Sequence, residues 1–225
     1  MYLLMGKFIV IEGTDCSWKE TQSKLLCERF SQEWISLGYR SFPMYGSPTG
    51  KIIGGPCLWR PSIGECFFPE GAANVEPKVA SLYFAADRLY HLPEIEKSKK
   101  NQNVILDRYV YSNMAHQGGK LTSFTERQAL YQWIEELEFH CLWLPEAEIK
   151  ILLHMPIKWT LELQKKRTEL DQHESNRAYL ENAEKAYLEI AEKYDFHLIE
   201  CGDEEHIKTI GEINDELLEY VKQCL

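Results

Sequence analysis

The chain has 225 residues, 44% of them hydrophobic, which fits one compact domain over 1–225 with a sizeable buried core. Its formal net charge of −10 excludes a general electrostatic pull on nucleic acid or anionic lipid. A phosphate ligand therefore requires a local cluster of positive groups. The seven cysteines are scattered and form no C-x-x-C pair, so they read as reduced thiols rather than a disulfide framework or a zinc site. No apolar run reaches the roughly 18 residues of a membrane span. The expected compartment is cytoplasmic, with no nucleic-acid or membrane partner.

The first apolar run, "KFIVIE" (7–12), is continuous rather than alternating, as in a strand buried on both faces. It ends at Gly13. "KETQSKLLCERFSQEWISLG" then shows helical periodicity through Leu25, Leu26, Phe30, Trp34 and Ile35, with Gly38 as its stop. "GGPCLWRPSIGECFFPEGAANVEP" (54–77) is rich in Gly and Pro and reads as a long functional loop anchored by Leu58, Trp59, Ile63, Phe67 and Phe68. Downstream, the strand-like runs "NVILDRY" (103–109), "IKILLHM" (149–155) and "FHLIEC" (196–201) are separated by helical patterns. Those patterns are "PKVASLYFAADRLYHLPEIEK", "SFTERQALYQWIEELEF", "ENAEKAYLEIAEKY" and the closing amphipathic "EEHIKTIGEINDELLEYVKQCL". The alternation implies a parallel sheet with helices on both faces and ligands beyond the carboxyl ends of its strands. The Gly13 loop, the Asp107 region and the segment after Met155 then share one rim.

A loop leaving a buried strand for a helix N-terminus aims backbone N–H groups at one spot, and a lysine adds charge on the outer phosphates. The full pattern is G-x-x-x-x-G-K-[ST]; positions 13–20 read G-T-D-C-S-W-K-E and match two of the four defining positions. The alternative is a Gly–Thr–Asp turn capping an ordinary helix. Trp18 stands where a second glycine belongs and is tolerated only if its Cβ points away from the phosphates. Glu20 replaces a neutral magnesium ligand by an anion, which can hold the metal but repels bare polyphosphate. Thr21 cannot replace that hydroxyl without a register shift.

From about Phe8 to Tyr194 an ordered set of segments resembles the thymidylate kinase family, P-loop enzymes that phosphorylate dTMP with ATP. The segments are "IEGTD" with "KETQSKLL", "FPMYGSPTGKIIG", "LYFAADRLYHL", "ILDRYVYSNMAHQGG", "LHMP" and "KKRTELDQHES". The resemblance implies a P-loop NTPase-type α/β fold and a short lid over about 165–176. It implies ATP on Gly13, Thr14, Asp15, Cys16, Ser17, Trp18, Lys19, Glu20 and Thr21, with Mg2+ near Glu20 and Asp107. It also implies dTMP beside Phe42, Phe84, Arg88, Arg108, Tyr111 and Gln117, with Asp15 at the sugar. Catalytic roles fall to Asp15, Lys19, Arg108 and Arg167, where Lys165 and Lys166 are adjacent alternatives to Arg167. Tyr45 stands where many members have an arginine, so acceptor-phosphate binding by that side chain is not implied.

Several of these residues have plainer readings. Asp107 and Arg108 also read as a structural pair, Phe84 as core, Asp15 as an Asx turn or cap, and the lid as a solvated charged segment. Two rival functions stay open: a catalytically impaired nucleotide-binding protein, motivated by Trp18 and Glu20, and a kinase for another nucleoside monophosphate, motivated by Tyr45. A homodimer is implied by the family, although the sequence alone shows no interface stripe.

Overall fold

The computed structural model describes residues 6–58, 62–65, 67–71, 74–165 and 177–225. In chain order the elements are β1 (Phe8–Gly13), α1 (Lys19–Gln32), β2 (Leu37–Ser41), α2 (Pro48–Ile52), α3 (Pro77–Lys99), β3 (Asn103–Asp107) and α4 (Val110–Gly118). They continue with α5 (Phe124–Glu135), β4 (Ile149–His154), α6 (Ile157–Gln164), α7 (Arg177–Lys193), β5 (His197–Glu200) and α8 (Ile210–Cys224). The five strands form one sheet, ordered β2-β3-β1-β4-β5, and every pairing is parallel.

β1 is central, and all six of its residues are buried. Successive side chains on a strand point to opposite faces. Phe8 and Val10 accordingly join a core with Ile95 of α3, Val110 and Met114 of α4, Leu130 and Ile134 of α5, and Ile190 of α7. Ile9 and Ile11 enter the opposite core with Leu26 and Phe30 of α1 and Ile213, Leu217 and Val221 of α8. Two apolar layers explain why the run is continuous rather than alternating. Because β1 lies between β3 and β4, the turns after Gly13, Asp107 and His154 emerge side by side.

The first helix departs from the sequence reading. It ends at Gln32, not near Gly38. The N–H groups of Glu33, Trp34 and Ile35 turn back to Phe30 and Ser31 carbonyls, and Trp34 adopts φ 62°. Leu37–Ser41 then adds β2 to the edge of β3, with Gly38 opposite Val104. An unpaired strand edge leaves a row of backbone groups unsatisfied. Pairing with β3, together with packing of Leu37 and Tyr39 on the α1/α8 core, overrides the helical period. Trp34, an expected buried position, is 97% exposed.

The segment 54–77 is less loop-like than expected at its start, where Ile53–Cys57 forms a π-helical turn. Phe68 packs edge-on against Tyr83 of α3, with ring centroids 6.0 Å apart, whereas Phe67 is 76% exposed. Trp59 lies outside the described residues.

The early helix end has a direct consequence for stability. Phe30→Ala is expected to lower unfolding free energy by about 3–5 kcal/mol, whereas Trp34→Ser should change it by no more than about 0.5 kcal/mol. Urea unfolding of both variants checks this; a large loss from Trp34→Ser would contradict the helix boundary.

Candidate functional site: the Gly13 loop and the cavity beside it

Gly13 is sterically required. A Cβ there would stand 2.4 Å from Ser17 Oγ and 3.2 Å from the Leu153 carbonyl oxygen. Thr14 fastens the loop to the end of β4. Its N–H donates to Leu153 O at 3.1 Å, its hydroxyl oxygen accepts from Met155 N at 2.7 Å, and the hydroxyl donates to Met155 O at 3.0 Å. The loop enters α1 at Trp18, which is the N-cap without any side-chain cap bond, so Asp15 is not the cap. Cys16 and Trp18 hold φ 62° and 53°, the left-handed region that glycine enters without strain.

Residues Thr14 to Thr21 border a cleft of about 710 Å³, also lined by Ser41 to Ser47, Asp107 and Arg108. Trp18 borders this cleft too, but it is half-buried and packs against the α1/α8 core. Ser17 Oγ is buried with no hydrogen-bond partner among the described residues. Orphaned hydroxyls are uncommon in native interiors, and this one sits within the loop expected to receive phosphate.

Lys19, the first residue of α1, and Asp107, the last of β3, form a buried ion pair, 9% and 1% exposed. The second Asp107 oxygen accepts from Tyr39 OH at 2.8 Å, which brings in β2. Burial, reinforced by the Arg108 charge, pulls the Lys19 ammonium below its ordinary pKa, while Asp107 opposes the shift. Glu20, by contrast, is exposed and pairs with Lys24 at 2.5 Å. Glu20 and Asp107 both line the cleft. Mg2+ in nucleotide sites takes one or two carboxylates, several waters and the substrate phosphates, so this donor set fits that ion.

Glu12, the residue before Gly13, is buried and organises the start of α4. One carboxylate oxygen accepts from Tyr109 N at 2.8 Å and Ser112 N at 3.0 Å; the other accepts from the Ser112 hydroxyl. Burial raises its pKa, and these donors oppose the rise. Glu12 thus fixes the turn in which Arg108 stands at φ 66°.

A second cavity, of about 170 Å³, adjoins the cleft through Asp15, Phe42, Pro43, Tyr45 and Arg108. It brings together Asp15, Phe42, Phe84, Arg88, Arg108 and Gln117 from the sequence-derived set, together with Asn113, His116 and Tyr179. Arg88 grips Glu138 with two hydrogen bonds, Nε to Oε2 at 2.5 Å and Nη2 to Oε1 at 2.6 Å. Asn113 Nδ2 donates to the same carboxylate at 3.0 Å. Asp87 accepts from Met44 N at 2.9 Å and Thr49 Oγ1 at 2.6 Å, holding the Phe42–Ser47 turn against α3.

Tyr111 is not part of the cavity. It is fully buried in the core, with its ring against Phe139, Tyr194 and Phe196. On α4 the cavity-lining residues are Ser112, Asn113, His116 and Gln117, one helical face; Tyr111 belongs to the opposite one. Arg167 and Lys166 lie outside the described residues, as does all of the expected lid except Lys165. Sequence reasoning missed Glu12, Asp87, Asn113, His116 and Glu138. An acid at the end of an otherwise apolar strand was a readable signal for Glu12. Glu138 offered none.

The model of the family described as thymidylate kinase matches residues 11–210. A probable thymidylate kinase of Methanocaldococcus jannaschii is 30% identical over 215 residues, covering 96% of this chain and 95% of that protein. One from Pyrococcus horikoshii is 32% identical over 196 residues, covering 80% and 84%. The solved thymidylate kinase structure from Candida albicans shares the fold, with a TM-score of 0.73 at 24% identity over 97% of this chain and 92% of that one.

The Arg88–Glu138 pair is 3% and 0% exposed, so neither charge has water to fall back on. Glu138→Ala should lower stability by about 3–5 kcal/mol, and converting both residues to apolar ones of similar volume should restore most of it. Chemical denaturation of the two variants measures this. An unchanged midpoint for Glu138→Ala would remove the pair from the account.

Proposed function

We infer that this chain, which belongs to the thymidylate kinase family, transfers the γ-phosphoryl group of ATP to dTMP, giving dTDP and ADP. The observation that carries this reading is the adjacency of two sites: a loop with a lysine at its end, and a cavity carrying two arginines and two phenylalanines next to it. The comparisons give the impaired-loop alternative no support, and the packing of Trp18 against the α1/α8 core removes its main physical motive.

Phosphoryl transfer demands positioning and charge neutralisation more than covalent work by the protein. ATP lies along the Gly13 loop. Lys19 exchanges Asp107 for the donor phosphates, which supply the counter-charge it needs while buried. Asp107 and Glu20 would hold Mg2+, which when bound would supply counter-charge to the phosphates. The acceptor pyrimidine lies against Phe84 and Phe42, with Arg88 and Gln117 as polar contacts, Asp15 at the sugar and Arg108 on the monophosphate. The bond from γ-phosphorus to the bridging oxygen breaks as a dTMP phosphate oxygen bonds to that phosphorus. The acceptor is already an anion, so no strong general base is required.

Residues 1–225 act as one domain; the expected lid over about 165–176, with Arg167, lies outside the described residues except for Lys165. The working form is a homodimer in the cytoplasm. An apolar stripe on α3, with Val79, Leu82, Leu89 and Tyr90 between 40% and 56% exposed, supports a partner surface there. Among the described residues no helix is long and apolar enough to cross a membrane.

ADP release measured with ATP, Mg2+ and a panel of nucleoside monophosphates tests the assignment. Turnover should be highest with dTMP and fall at least about 100-fold in Lys19→Met. Restoring the standard loop with Trp18→Gly and Glu20→Thr should raise turnover by less than about tenfold, because the existing loop already works. No turnover with any acceptor, or turnover appearing only in the double variant, would overturn the reading.

A further inference from the structure

The cavity holds one residue for which the phosphoryl-transfer scheme has no use. His116 lies on α4, one turn beyond Ser112, and its imidazole contacts the guanidinium of Arg108, with Arg108 Nη1 and His116 Nε2 2.9 Å apart. A guanidinium only donates, so Nε2 accepts and carries no proton. The ring is then the Nδ1–H tautomer, and Nδ1 donates to Tyr179 OH at 2.9 Å. That hydroxyl returns its own proton to the His116 carbonyl oxygen at 3.5 Å. The directions are mutually consistent, and they require a neutral imidazole.

The hydrogen bonds of Arg108 to His116, to Ser112 Oγ (3.4 Å) and to Tyr187 OH (3.2 Å) are all made by Nη1. One nitrogen is therefore tied back to the protein, and Nε and Nη2 are left as a fork for an anion.

We propose that His116 is a positioning residue for Arg108: as a neutral acceptor it aims the guanidinium at the acceptor phosphate, and its protonation releases that aim. The proposal rests on the reading above, in which Arg108 binds the dTMP phosphate. The groups around the imidazole decide the sign. Arg108 faces it from the β3–α4 turn, and Tyr179 and Tyr187 of α7 meet it with rings 6.4 Å and 5.7 Å away. Asp15 of the Gly13 loop and Arg88 and Asp87 of α3 line the same cavity, with Glu12 acting on Arg108 from β1. The guanidinium contacts the imidazole directly, and the Nε2 lone pair that accepts from it is lost on protonation. A proton there turns an acceptor into a second donor facing a cation. Acceptor binding therefore weakens as acidification adds a proton to the imidazole.

Calorimetric titration of the full chain with dTMP and with thymidine, from pH 5.5 to 8.5, tests this. The dTMP phosphate titrates near 6 itself, so the comparison is between the unaltered chain and His116→Gln, whose amide oxygen accepts at every pH. The unaltered chain should lose on the order of tenfold more dTMP affinity than His116→Gln across this range, with thymidine binding unaffected. His116→Phe should bind dTMP weakly throughout, with KM raised more than kcat is lowered. Thermal melts identify any variant that has not folded, and the unaltered chain's two ligands then remain the test. Identical pH profiles for the unaltered chain and His116→Gln, or an equal acid limb for thymidine, would overturn the proposal. Equal affinities for dTMP and thymidine at all pH would instead remove Arg108 from the phosphate.

Discussion

Lys19 and Asp107 meet at the carboxyl ends of two adjacent strands, and the site is built around that buried pair of charges. Each is tolerated in the interior because the other is present; removing one partner of such a pair costs about 3–5 kcal/mol. The pair fastens α1 to β3, and the second Asp107 oxygen draws in Tyr39 of β2. The ends of β2 and β3 and the start of α1 are thereby tied together. In the proposed reaction nucleotide phosphates compete for the lysine, since they bring negative charge into the cleft to replace the carboxylate.

The same logic repeats at Arg88, which has Glu138 as its counter-charge, whereas Arg108 is hydrogen-bonded to neutral groups on α4 and α7. The difference suits two tasks. A guanidinium whose fork is filled by Glu138 offers few donors, which suits the proposed contact to a carbonyl on a base. One tied only through Nη1 keeps a fork for a phosphate. In a chain of formal charge −10, this local concentration of positive groups is what makes an anionic ligand admissible.

Much of this was legible from residues alone, and the misses have definable causes. Three of the foreseen strands, β1, β3 and β4, are continuous apolar runs because each contributes to the cores on both faces of the sheet; β5, at the sheet edge, buries only Ile199. β2 was hidden because its residues, Leu37–Ser41, are mixed in character and follow a helix whose apolar spacing continues past its real end. Phe84, Arg88 and Arg108 carried readable motifs. Tyr111 was misplaced because nearness to "DRY" does not say which face of the following helix a side chain takes. Glu138 was unreadable, since its importance exists only after a fold brings it across 50 residues of chain to Arg88. The altered positions Trp18 and Glu20 raised a doubt that sequence could pose but not answer, because the answer depends on where an indole packs.

A crystal structure with ADP, Mg2+ and dTMP tests the central claim most directly. The account expects Lys19 Nζ moved from Asp107 onto the donor phosphates while the Trp18 ring stays against the α1/α8 core. An indole filling the loop, with no anion seated there at saturating nucleotide, would contradict it.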